Sequence, residues 1–314
     1  SAPAKHLSVL CNQMVNFLGI MQNEWAGAQA FSSFDTYLAP FVKADNLAYP
    51  EVKKCIEAFI YGVNTPSRWG TQAPFSNITL DWTVPDDLAE LPAIVGGREM
   101  DFKYKDCKKE MDMVNKAFIE TMIEGDSNGR GFQYPIPTYS ITRDFDWSDN
   151  ENNRLLFEMT SKYGTPYFSN YINSDMEPSD VRSMCCRLRL DLRELRKKTG
   201  GYFGSGESTG SVGVVTINMP RIAYLSANKD EFYARLNRMM DIAARSLKIK
   251  RGVITKLLEE GLYPYTRRYL GTFDNHFSTI GLIGMNEVGL NANWLRADMS
   301  DKRTQEFTKE VLNH

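Results

Sequence analysis

The chain has 314 residues, with 37 basic and 39 acidic side chains and a formal charge of −2. That balance excludes a strongly basic nucleic-acid binder but leaves room for a local basic patch. Its 42% apolar content suits a globular protein with a large core, and no apolar run approaches the length of a membrane span.

Residues 5 to 31 predict a long helix, because Leu7, Leu10, Met14, Phe17, Leu18, Met21 and Trp25 recur at three- and four-residue steps. Within it, Ala26-Gly27-Ala28 would let another backbone approach closely, as in a two-fold dimer contact. Helices follow over Phe34 to Phe41 and Pro50 to Val63. Cys11 and Cys55 fall on these helices and read as packing residues. Asn64 to Phe75 reads as loop and Asn77 to Trp82 as a strand. Residues 83 to 104, with their prolines and Gly96-Gly97, read as loop. A helix from Lys105 to Glu124 is ended by a glycine- and asparagine-rich run. Tyr134 to Thr142 predicts a strand, Glu151 to Tyr163 a helix and Pro166 to Asn170 another strand.

Next comes Ser183-Met184-Cys185-Cys186-Arg187-Leu188-Arg189-Leu190. Adjacent cysteines rarely bond to each other, because the small ring strains peptide and disulfide alike. They also lack the spacing of a zinc site. Arg182, Arg187 and Arg189 favour thiolate and so raise reactivity. A plain packing role for the two thiols stands beside that reading. Gly204 to Ser211 matches no phosphate-loop spacing and reads as a hairpin tip. Val212 to Asn218 is a continuous apolar strand, stopped by Pro220. A long helix spans Lys229 to Glu260, capped by Gly261. Phe277 to Ile283 is the last apolar strand, and a helix runs from Asp301 to the end.

Alternating strands and helices with long spacers argue for α/β with a largely parallel sheet. In such sheets reactive groups gather at strand ends. Asn77, Asn170, Asn218 and Asn286 lie in or near such positions, where an amide holds a polyhydroxylated ligand or ties down a turn. The five cysteines, odd in number and without a disulfide framework, indicate a reducing, cytoplasmic setting. The start, Ser1-Ala2-Pro3-Ala4-Lys5, is unlike a signal peptide. Three histidines poorly supply a metal site or a Ser-His-Asp engine.

Several runs together resemble the catalytic subunit of the anaerobic, class III ribonucleoside-triphosphate reductases, which are glycyl radical enzymes. They are Pro3-Ala4-Lys5-His6-Leu7, Gln22 to Asp35, Pro135-Ile136-Pro137-Thr138-Tyr139, Asn173 to Arg187, Val214 to Arg221 and His276 to Gly281. The resemblance implies part of a ten-stranded α/β barrel with an internal finger loop carrying a radical cysteine. Cys186 is the better match, with Cys185 as the alternative. The implied reaction is hydrogen abstraction from the ribose 3′ carbon by a thiyl radical, loss of the 2′ hydroxyl as water, and reduction to the deoxynucleotide. Asn218 matches an active-site asparagine of the formate-dependent branch. Asn77, Ser278 and Thr279 are the candidate substrate contacts, and no metal ligands are assigned.

The same resemblance implies ATP and deoxynucleotide effectors, a radical SAM activating enzyme, formate as reductant and a homodimer, with neither nucleic acid nor membrane as partner. The family's N-terminal nucleotide cone is absent from this sequence. So is the C-terminal domain with the radical glycine and a four-cysteine zinc site. Residues 1–314 are therefore expected to be the central part of one catalytic barrel domain. The alternative is a nucleotide-binding, dimer-forming core that does no chemistry in this form.

Overall fold

The computed structural model describes residues 2–65, 73–174, 181–183, 189–191 and 210–314, the two short segments by backbone alone. The chain divides into two compact units, residues 1–201 and 202–314. It is α/β in both.

In the first unit, α1 (Leu7–Met21) buries Leu7, Cys11, Met14, Leu18 and Met21. The helix expected to reach residue 31 stops at Met21. Asn23 explains the stop: its side-chain amide donates to the carbonyls of Gly19 and Ile20 and so satisfies the last turn. Ala26-Gly27-Ala28 lies beyond the helix, and Gln29–Phe31 forms strand β1. The small-residue helical face expected for dimer contact therefore does not exist, and the apolar stripe of α1 is used inside the chain.

Then come α2 (Phe34–Ala44), α3 (Tyr49–Asn64) and β2 (Ser76–Leu80). After α4 (Asp86–Ala89), the stretch expected to be loop contains an antiparallel hairpin, β3 (Pro92–Val95) and β4 (Arg98–Lys103). Gly96 and Gly97 make it possible, with φ of 64° and 73°, the left-handed pair that a tight hairpin turn requires. Next are α5 (Lys108–Glu124), β5 (Ile136–Ile141), α6 (Glu151–Tyr163) and β6 (Tyr167–Asn170). Strands β1, β2, β5 and β6 form one parallel sheet in that order. Ile78, Leu80, Tyr139 and Ile141 pack with Leu18, Phe34, Phe59, Phe118 and Leu156 from the helices. Truncating one of these buried phenylalanines to alanine costs about 3–5 kcal/mol. Short strands β7 (Val181–Ser183) and β8 (Arg189–Asp191) pair antiparallel.

The second unit holds β9 (Gly210–Asn218), α7 (Met219–Tyr224), α8 (Lys229–Glu259), α9 (Pro264–Tyr269), β10 (His276–Ile283), α10 (Met285–Asn291) and α11 (Lys302–Asn313). Strands β9 and β10 are parallel, from His276 opposite Gly210 to Ile283 opposite Asn218. Ile217, Met219, Phe232, Leu236, Val288, Phe307 and Val311 form the core of this unit. Gly213 lets α8 lie close to β9, since a Cβ there would sit 2.8 Å from Lys250 Nζ and 3.3 Å from Leu247 Cδ2.

Candidate functional site

Side chains alternate across a strand, and residues in register on neighbouring strands share a face. Ile78, Leu80, Pro137, Tyr139 and Ile141 therefore line one face of the first unit's sheet, where the helices pack. Asn77, Thr79, Thr138, Ser140 and Ser169 line the other, together with Ile136 and Tyr167. The polar groups of that second face are enclosed, for Asn77, Thr138, Ser140 and Ser169 are all buried. Thr79 Oγ1 accepts the Ser33 N–H at 2.9 Å. Asn77 is different: it is fully buried, and neither its Oδ1 nor its Nδ2 has a hydrogen-bond partner. Thr138 Oγ1 is unpartnered too. A buried amide left unmade costs about 1–3 kcal/mol per group, so this face is equipped to take donors and acceptors that the fold does not supply.

Beside it, at the C-terminal end of β2, lies a polar network that the sequence did not announce. Asp35, fully buried in the first turn of α2, accepts from the backbone N–H groups of Thr36, Asp81 and Trp82 and from Asn115 Nδ2, at 2.8–3.0 Å. Tyr139 donates to Asn115 Oδ1 at 3.1 Å, and Thr36 Oγ1 donates to Asp81 Oδ2 at 2.6 Å. Burial pushes the Asp35 carboxyl above its ordinary value, against the pull of Asn115 and the three amides. Trp82 holds φ at 63°, a region bulky residues seldom enter, and its N–H is one of those held by Asp35. Asp35 lies 80 residues from Asn115 and 46 from Asp81; the only signal in the chain was its place in the Gln22 to Asp35 run.

In the second unit, Asn218 ends β9 and caps α7, its Oδ1 accepting the Arg221 N–H at 3.1 Å. It is exposed rather than buried. Its acceptor is thereby committed to the turn, which leaves the Nδ2 donor for chemistry outside the turn. The register places Thr279 and Thr216 on the same face as Asn218 and puts Ser278 on the opposite one, with Gly213 and α8. Ser278 Oγ accepts from Arg251 Nη2 at 3.0 Å, and the same guanidinium donates to the carbonyls of Phe273 and His276. Ser278, expected as a substrate contact, thus has its hydroxyl held by Arg251 on the face toward α8. Arg251, which pins the start of β10 to α8, was not foreseen. Burial lowers the His276 imidazole below its ordinary range, and Arg251 adds to the effect.

Cys185 and Cys186, on which the sequence reading placed the chemistry, lie outside the described residues. So do most of the Gly204 to Ser211 run and of the entry before the cysteines. The described backbone on either side, β7 and β8, runs antiparallel with Ser183 opposite Arg189. The three described cysteines are free thiols. Burial pushes Cys11 and Cys107 up to about 12 and raises Cys55 as well, which favours the neutral thiol in each. Among the described residues no cluster of histidine, cysteine and carboxylate groups is fit to hold a metal ion.

The chain matches the family model described as anaerobic ribonucleoside-triphosphate reductase over residues 1–314. No curated protein matches it significantly. Solved structures similar to it include the anaerobic ribonucleotide reductase from Thermotoga maritima with dATP bound in the specificity site, at 20% identity and TM-score 0.74, over 100% of this chain and 53% of that one. The Thermotoga maritima enzyme with citrate in the active site matches at 19% identity and TM-score 0.73, over 99% of this chain and 56% of that one. A further structure, described as anaerobic ribonucleotide reductase, matches at 20% identity and TM-score 0.73, over 100% of this chain and 49% of that one. The chain thus spans about half the length of the structures it matches. The shared fold is the α/β architecture of those enzymes, with which a partial barrel is consistent.

Proposed function

The chain belongs to the anaerobic ribonucleoside-triphosphate reductase family, and from that premise we propose that it forms the central part of the catalytic barrel of a ribonucleotide reductase. The reaction is reduction of ribonucleoside triphosphates to 2′-deoxyribonucleoside triphosphates for DNA synthesis. The match over the whole of residues 1–314 carries this reading; the enclosed polar face around Asn77 adds a place for the ligand.

In this proposal a glycyl radical, borne on a residue outside residues 1–314 and installed by a radical SAM activating enzyme, supplies the unpaired electron. Cys186, or its neighbour Cys185, takes the hydrogen from the ribose 3′ carbon and returns it at the end. A sulfur carries an unpaired electron and gives back the hydrogen readily, and a site closed to water protects it meanwhile. The 2′ hydroxyl leaves as water, and formate is the reductant. Asn77, with Thr138, supplies the donor and acceptor that ribose hydroxyls or phosphate oxygens need. Asn218 offers its Nδ2 donor, the polarity that suits a carboxylate such as formate or a ribose oxygen, and Thr279 shares its face. The four-cysteine zinc site is assigned to a part of the enzyme outside residues 1–314. ATP and deoxynucleotides act as effectors, and the enzyme is a homodimer. No helix among the described residues is long and apolar enough to cross a membrane, and a cytoplasmic setting is part of the proposal.

The test is made in the full-length polypeptide with its activating enzyme. Cys186→Ala abolishes deoxynucleotide formation and leaves the glycyl radical signal in electron paramagnetic resonance largely intact. Full turnover in Cys186→Ala moves the role to Cys185, and full turnover in both alanine variants removes the assignment. The 314-residue chain by itself binds nucleotide without turnover on the alternative reading. Recovery of product when the flanking regions are restored decides for the enzyme.

A further inference from the structure

Helix α8 has two apolar rows, and only one of them is covered. The covered row is Phe232, Leu236, Ala243, Leu247 and Leu258. The other is Met239, Ile242, Ile249 and Val253, which are 42%, 52%, 59% and 52% exposed. Their steps of three, seven and four residues are the a and d positions of a heptad, with Ser246 in the remaining place. A seam of two positions in seven is the pattern on which another helix packs. At 100° per residue the seam lies roughly a quarter-turn around from the covered row, so it is a separate surface and not the fringe of the core.

The charge beside the seam says what kind of helix it takes. Between Arg238 and Lys256 there are six basic residues and one acidic, a net +5, in a chain whose formal charge is −2. Arg238 and Arg245 flank one edge of the seam, Lys256 takes the d position after Val253 at its end, and all three are exposed. Neither Arg238 nor Arg245 has an ion pair among the described residues. A second copy packed antiparallel along the seam would set this edge against itself, cation opposite cation, which opposes self-pairing. An acidic helix meets the same edge with attraction. Gly252 sits on that edge too. Glycine weakens a helix interior, yet no atom lies within 4 Å of where its Cβ would stand, so the chain's own packing has no need of it. It leaves a notch in which a partner can approach closely.

We propose that the Met239–Ile242–Ile249–Val253 seam of α8 docks an acidic amphipathic helix of a partner protein. Apolar side chains of that helix fill the seam, and its carboxylates line Arg238, Arg245 and Lys256. The surface lies on α8 alone and is independent of the reduction chemistry proposed above.

The probe is a synthetic helix of about three heptads, leucine at a and d and glutamate at e and g, with a lysine counterpart as control. Binding to the full-length polypeptide is read by fluorescence anisotropy. The acidic peptide binds at least about tenfold more tightly than the basic one, and added salt weakens it. Ile242→Asp and Ile249→Asp each lower its affinity about tenfold or more without moving the melting temperature. The pair Arg238→Glu with Arg245→Glu reverses the preference between peptides. Equal binding of both peptides, or binding of neither, overturns the proposal. So does failure of a maleimide to label Ile249→Cys in the partner-free full-length protein, because the polypeptide itself would then cover the seam. Disulfide capture of two copies through Ile249→Cys assigns the surface to self-association and also overturns it.

Discussion

At Asn77 the fold keeps an amide that it does not satisfy. Replacing an unpaired buried polar group by an apolar one of similar shape is neutral or stabilising, whereas a group kept for a ligand is missed on binding. Asn77→Leu in the full-length protein is therefore expected to leave unfolding stability unchanged or raise it by up to about 2 kcal/mol. Substrate affinity falls about tenfold, as measured by urea melts and calorimetric titration. Lost stability with unchanged affinity would make Asn77 a structural residue. His276 gives a pH signature at the same scale. Its folded value lies below the ordinary 6.5 because burial disfavours the imidazolium. The stability this represents is present above about pH 6.5 and is lost as pH falls through the lower folded value. The thermal stability of the wild type should thus drop below about pH 6.5 more steeply than that of His276→Gln. A pH-independent difference between the two would refute the assignment.

Between elements, Asp35 ties α2, β2 and α5 together, and β5 joins through Tyr139 and Asn115. All four groups that reach its carboxylate are N–H donors. An amide in place of the carboxylate would turn an NH2 toward two of them, so Asp35→Asn is expected to cost about 2–3 kcal/mol in urea denaturation, with the local change centred on Trp82 fluorescence. A loss under about 0.5 kcal/mol, the size of an ordinary surface substitution, would show that the network is not holding these elements. Such connections leave no periodic trace. A single carboxylate in the first turn of a helix reads as a routine dipole contact, and its distant partners become visible only when strands and helices are side by side. The end of α1 is a similar case. The three- and four-residue steps continue to Trp25, but Asn23 takes the terminal carbonyls first. Local side-chain competition for backbone groups overrode the periodicity there.

At the scale of the whole molecule, among the described residues one hydrophobic cluster holds Phe34, Phe59 and Phe118 of the first unit and another holds Phe232 and Phe307 of the second. Cooperative unfolding follows the core, so the two units are expected to open as separate blocks. Hydrogen exchange across a urea series should give one midpoint for peptides of α3 and α5 and another for peptides of α8 and α11. One shared midpoint for all four would show a single cooperative core.

Composition, the alternation of strand and helix patterns and the family's matching runs were legible in the chain of residues, and with them the α/β class and the family. They depend on local spacing, which a linear text preserves. The strands over Ser76–Leu80, Ile136–Ile141 and Gly210–Asn218 were legible for the same reason. Which face a residue takes was not. Ser278 and Thr279 are adjacent in sequence, yet register sends the first toward Arg251 and α8 and the second to the face of Asn218. The unpaired state of Asn77, the Asp35 network and the bare seam on α8 were likewise decided by tertiary structure. Each depends on what a residue's distant neighbours supply or withhold, and that is settled only when the strands are set in register and the helices are packed upon them.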